Sequence, residues 1–135
     1  MNHQIEKAGL SDRIHCDSAG TSSYHIGSSP DRRMAAAAKK QGIELKGSAR
    51  QFEVDDFEEF DLILAMDREN YRNLIALDRT GQYEDKVRMM CEFCTRHDLK
   101  EVPDPYYGGP AGFDRVIDLL VDACEGLLEH TQKQL

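Results

Sequence analysis

Three observations predict an open parallel α/β sheet flanked by helices. Leu62-Ile63-Leu64-Ala65-Met66 is a continuous apolar run, the pattern of a strand covered on both faces. Phe113, Val116, Ile117, Leu120, Val121, Cys124, Leu127 and Leu128 recur at three- and four-residue spacings, giving one apolar face of a long terminal helix. Upstream of that helix, strand-like and helix-like stretches alternate, the order of a parallel sheet with crossover helices. The 135 residues contain no internal repeat and no compositional boundary, so a single domain, 1–135, is expected.

In chain order, residues 3–8 read as the tail of a short helix stopped at Gly9, which takes the left-handed conformation cheaply. Arg13-Ile14-His15-Cys16-Asp17 alternates and is β-rich, a strand leading into a loop that runs from Ser18 through Tyr24 to Gly27. Ser29 is the expected cap of a helix with Pro30 in its first turn, running through the alanines to Gly42. A short helix is expected over Val54-Asp55-Asp56-Phe57. The buried strand 62–66 is followed by Asp67, placed to cap a helix through Asn70, Tyr71, Leu74 and Leu77; capping competes with any catalytic role for this carboxylate. Lys86-Val87-Arg88-Met89-Met90-Cys91 gives a further strand. In such sheets ligands bind beyond the carboxyl ends of the strands, where the Ser18–Tyr24 loop, Asp67 and the segment around Asp104 all fall.

The formal net charge of −8 excludes nucleic acid and anionic membrane as main partners, since both would be repelled. Charge is uneven: Arg32, Arg33, Lys39, Lys40, Lys46 and Arg50 face only Glu44 between residues 32 and 50, whereas 53–67 holds acids and no base. Such runs are usually solvated faces, although the basic one offers local attraction to an anionic substrate. No apolar stretch approaches the ~20 residues of a membrane span, and the N-terminus lacks a signal-peptide core, so a cytoplasmic location is expected. Cys16, Cys91, Cys94 and Cys124 are too scattered for a disulfide framework. Cys91 and Cys94 form a C-x-x-C, but zinc sites normally need about four ligands and there is no second pair; core packing for Cys91 and an incidental thiol at Cys94 are expected.

Val102-Pro103-Asp104-Pro105-Tyr106-Tyr107-Gly108-Gly109-Pro110 stands out. Pro105 pushes Asp104 out of the helical region while Pro103 fixes its own φ, so the carboxylate sits on stiff backbone. Aromatic neighbours disfavour the ionised form, which suits a proton donor. The plainer reading is a surface turn, since Pro, Asp and Gly are turn residues.

Taken together, Asp17-Ser18-Ala19-Gly20-Thr21, Gly27 with Pro30-Asp31, Ala49-Arg50-Gln51, Asp61 through Asp67, and Asp104-Pro105-Tyr106-Tyr107 resemble the low molecular weight protein-tyrosine phosphatases, across essentially the whole chain. The resemblance implies the Rossmann-like phosphotyrosine phosphatase I fold. It also implies a two-step hydrolysis in which a cysteine thiolate attacks phosphorus and an aspartic acid protonates the leaving phenol. By motif, Asp104 is that acid and later the base, Tyr106 lines the pocket, Tyr24 is the opposing aromatic wall, and Tyr107 matches a tyrosine that can itself be phosphorylated. The implied partners are phosphotyrosine proteins or small aryl phosphates, without metal or organic cofactor.

One departure is severe. The family's phosphate loop is a cysteine, five residues, then Arg-Ser, between the first strand and first helix. Six positions on from Cys16, Cys91, Cys94 and Cys124 stand Ser22, His97, Lys100 and His130, so no cysteine here heads that motif. A lesser departure is Lys46-Gly47-Ser48, where many members have a histidine. The helix before Gly9 looks like the end of the family's first helix, so an N-terminally truncated domain lacking its first central strand is expected. About five buried apolar side chains on that strand would amount to roughly 10 kcal/mol, comparable to a domain's net stability. The chain as written is therefore expected to be barely stable and inactive. The alternatives are a non-catalytic family member that binds a partner and, less favoured, an arsenate reductase, whose relay cysteine is absent after Met66.

Overall fold

The computed structural model describes residues 1–21, 27, 31–47, 49–105 and 111–135. Its helices are α1 (Asn2–Lys7), α2 (Arg32–Lys40), α3 (Asp56–Glu59), α4 (Arg68–Leu77) and α5 (Gly112–Gln132), and its strands are β1 (Ile63–Ala65) and β2 (Val87–Met89). The strands pair in parallel, Ile63 opposite Val87 and Ala65 opposite Met89. Helices cover both faces, the Rossmann-like arrangement. Alternation along β1 divides the core: Ile63 and Ala65 pack with Phe57 of α3, Leu74 of α4 and Val87. Leu62 and Leu64 turn the other way, towards Met90, Phe93 and the Ala123, Cys124 and Leu127 face of α5. α2 buries Ala37 and Ala38 on Phe113 and Ile117 at the start of α5.

The helix ends follow their local chemistry. α1 closes through Gly9 at φ +71°, with the Leu10 amide donating to the Ile5 carbonyl at 3.0 Å. α4 is capped as expected, Asp67 Oδ1 accepting from the Asn70 amide at 2.7 Å. The cap of α2 is Asp31 rather than Ser29: its Oδ1 accepts from the Arg33 amide at 2.8 Å and the Met34 amide at 3.2 Å, and Ser29 and Pro30 lie outside the described residues. The short helix expected over 54–57 begins two residues later, at Asp56.

The strand expected over 13–17 does not form. The Arg13 and Ile14 amides turn back onto the Leu10 carbonyl, each at 2.9 Å, and the chain beyond makes a single parallel bridge, Gly20 to Gln51. A β-rich pattern becomes a strand only where another backbone offers its hydrogen bonds, and among the described residues none runs beside 13–17. The expected strands at 62–66 and 86–91 are each shortened to three residues, the second passing at once into a 3₁₀ turn, Met90–Phe93. No helix among the described residues is long and apolar enough to cross a membrane.

Candidate active site

Three segments meet at the carboxyl end of β1. Leading towards Asp104, the Val102 amide donates to the Met66 carbonyl at 2.8 Å, and Glu101 Oε1 accepts from the Arg68 amide at 2.6 Å. Glu101 thereby places its negative charge on the first turn of α4, where the helix dipole favours it. From the other side, the Thr21 hydroxyl lies 3.4 Å from Asn70 Nδ2 and 3.3 Å from Asn73 Nδ2, tying the first loop to the same helix. Asp67 sits between them, its carboxylate engaged as the cap.

Asp104 is exposed at the tip of this junction. Its loop is backed by α5: Gly112 is buried, and a Cβ there would land on the Pro105 carbonyl oxygen, so the absence of a side chain lets the helix approach the loop. Tyr24, Tyr106 and Tyr107 lie outside the described residues. The structure thus brings the Asp104 segment, Asp67 and the Thr21 loop to one sheet edge.

Arg50 braces the first loop. Its guanidinium reaches Asp17 Oδ2 at 3.0 Å and grips Asp56 at 2.9 and 3.2 Å, while Asp56 also accepts from the Glu53 amide at 2.8 Å. Burial alone would push the Asp56 carboxyl up; the Arg50 and Glu53 hydrogen bonds hold it below its ordinary range, and the same contact with Asp56 raises Arg50. Half of the basic run is paired in this way, for Lys40 meets Asp114 at 3.3 Å and Arg33 meets Asp31 at 3.8 Å.

None of the four cysteines has the environment of a nucleophile, which needs a stabilised thiolate. Burial pushes the thiols of Cys16 and Cys91 up, and that of Cys94 up to about 12. Cys124 is buried in the core face of α5. Among the described residues no cluster of three or more His, Cys, Asp or Glu could hold a metal ion.

Sequence reasoning missed a second polar centre. Asp122 of α5 is wholly buried, and its carboxylate binds the Thr95 amide and hydroxyl (both 3.0 Å), the Arg96 and His97 amides (2.9 and 3.1 Å) and His97 Nδ1 (2.8 Å). It pins the loop that continues to Glu101 and Asp104. The signal was faint: one acid inside the apolar stripe of α5, with partners about 25 residues away.

Comparison with known proteins agrees with this geometry. The model of the family "Low molecular weight phosphotyrosine protein phosphatase" matches residues 1–135. The Synechocystis sp. protein slr0328 is 60% identical over 135 residues, covering 100% of this chain and 86% of that protein. The low molecular weight phosphotyrosine protein phosphatase of Schizosaccharomyces pombe is 40% identical over 130 residues, covering 96% and 83%. The crystal structure of a protein tyrosine phosphatase from Entamoeba histolytica superposes with a TM-score of 0.91 at 45% identity, covering 98% of this chain and 85% of that one. The chain, with its parallel sheet and the Asp104 segment at the carboxyl end of β1, therefore belongs to the low molecular weight phosphotyrosine protein phosphatase family.

Proposed function

We propose that this domain serves phosphotyrosine hydrolysis, with Asp104 as general acid and base. What carries the reading is the exposed Asp104 carboxylate, held between two prolines at the carboxyl end of β1 by the Val102–Met66 hydrogen bond, in a chain of this family. A thiolate attacks phosphorus, the bond from phosphorus to the phenol oxygen breaks, and Asp104 gives its proton to that oxygen. The ionised Asp104 then takes a proton from water, the resulting hydroxide attacks phosphorus, the sulfur–phosphorus bond breaks and phosphate leaves. Tyr24 and Tyr106 wall the aryl group, Tyr107 is a candidate phosphorylation site, and phosphotyrosine proteins in the cytoplasm or small aryl phosphates are the substrates.

The thiolate is not among these 135 residues. No cysteine is followed six positions on by arginine, and Cys16, Cys91 and Cys94 are held as thiols by burial. On this reading the 135 residues by themselves are inactive and, with one edge of β1 unpaired among the described residues, barely stable, and hydrolysis requires a thiolate supplied from outside them. Reading the codons upstream of Met1 tests this: an in-frame Cys, five residues, Arg-Ser supports it, and an in-frame stop codon contradicts it. Cooperative melting of residues 1–135 alone would also overturn the stability claim. A non-catalytic binding role is the second reading, favoured by β1, whose edge away from β2 pairs with no strand among the described residues. A stable oligomer without activity towards an aryl phosphate would select it.

A further inference from the structure

A cleft of about 870 Å³ lies between α4, the outer strand β2 and the loop 94–100. Tyr71 and Met89 give it apolar surface, while Arg68 and Arg72, one helical turn apart on α4, and Lys100 from the loop bring three cations to it. All three are exposed, and none forms an ion pair among the described residues. What sets them apart in a chain of net charge −8 is that the three gather on one cleft, whereas Arg33, Lys40, Arg50, Arg88, Arg96 and Lys133 have carboxylate partners. Of the acids at the cleft, Glu92 is neutralised by Arg88 at 2.8 Å, leaving Asp98, and Glu101 on the Arg68 amide at its border, against three cations. His97 is turned to Asp118 and Asp122.

The cleft adjoins the acid loop. Glu101, which follows Lys100, accepts from the Arg68 amide, and Val102 is hydrogen-bonded to Met66. Lys100 stands four residues before Asp104, a span of at most ~14 Å. An extended peptide with its phosphotyrosine at Asp104 reaches the cleft with a side chain about three or four residues away.

We propose that this cleft is a subsite for acidic residues flanking phosphotyrosine in a peptide substrate. The carboxylate would sit among Arg68, Arg72 and Lys100, where guanidinium forks match it, and its methylene stem over Tyr71 and Met89. The inference rests on the phosphotyrosine reading above, and it makes substrate choice a matter of local charge complementarity within an acidic protein.

The first test needs no turnover. A fluorescein-labelled, unphosphorylated peptide carrying four glutamates is titrated at low salt against a chain extended by a family strand and phosphate loop, beside its glutamine counterpart. The glutamate peptide should bind at least tenfold more tightly and lose that advantage in salt. The double variant Arg72→Glu/Lys100→Glu should abolish the preference, whereas Lys39→Glu on α2 keeps it. Equal binding of the two peptides, or equal loss in the Lys39→Glu variant, overturns the subsite. In the protein that includes the phosphate loop, the ratio of kcat/KM for acidic over neutral phosphopeptides should fall at least fivefold in the same double variant; an unchanged ratio also overturns it. If that protein hydrolyses neither phosphopeptide nor aryl phosphate, the phosphatase reading fails and the unphosphorylated-peptide titration alone decides the subsite.

Discussion

Asp122→Ala removes the carboxylate that pins the loop 95–97 to α5. Asp122 has no exposed surface, and alanine would leave the amides of Thr95, Arg96 and His97 without their acceptors. Burial alone would push this carboxyl up; the bonds from His97, Thr95 and Arg96 instead hold it well below the carboxylate range, so the charge is compensated by its partners. A buried donor left unpaired costs about 1–3 kcal/mol, but Thr95 and Arg96 are exposed and water recovers part of that. Three amides losing their acceptor, discounted for that exposure, give an expected loss of about 2–4 kcal/mol. Asp122→Asn keeps the volume and one oxygen and should lose roughly half as much. The assay is urea unfolding of a chain extended by a family strand and phosphate loop, with amide exchange read at residues 95–97. A loss below about 1 kcal/mol, or unchanged exchange of those three amides, would refute the reasoning.

The same network sets a pH window. The Asp122 bond raises His97, so its stabilisation is complete below the unfolded value near ~6.5 and is lost as pH rises through the folded one. Asp122 is depressed, so its contribution is present above ~3.9 and lost as pH falls through the folded value. Thermal midpoints should peak between about pH 4 and 6.5 in the wild type and flatten on the alkaline side in His97→Gln; an identical profile in that variant counts against the pairing. Asp31→Ala should cost about 1 kcal/mol through loss of the α2 cap, read as a lower urea midpoint, whereas Ser29→Ala should cost less. In the same extended chain, Gly112→Ala should lower kcat, because its methyl group meets the Pro105 carbonyl and displaces the Asp104 loop, although alanine is otherwise the better helix residue. Unaltered kcat would show that α5 does not position Asp104.

The elements legible in the sequence were those specified locally. The periodicity of α5, the apolar run of β1, the Asp67 cap and the Gly9 stop each depend on residues within a turn or two. The strand at 13–17 was misread because its pattern says that a strand is favourable, not that a neighbour is present. Ser29 and Asp31 are both good caps, and only backbone geometry, ψ 135° at Asp31, decides between them. Asp104 stood out because flanking prolines are a local signature. Asp122 and the cationic cleft did not, since their parts are brought together by folding from α4, α5 and the loop before Glu101.

The most direct test of the central claim compares Asp104→Ala with the unsubstituted form in a chain extended by a family strand and phosphate loop, using aryl phosphates of graded leaving-group pKa. If Asp104 protonates the departing phenol, kcat/KM should fall by ~10²–10⁴ for poorly leaving phenols and far less for activated ones. Equal loss across the series, or no loss, would contradict the assignment of Asp104 as the acid.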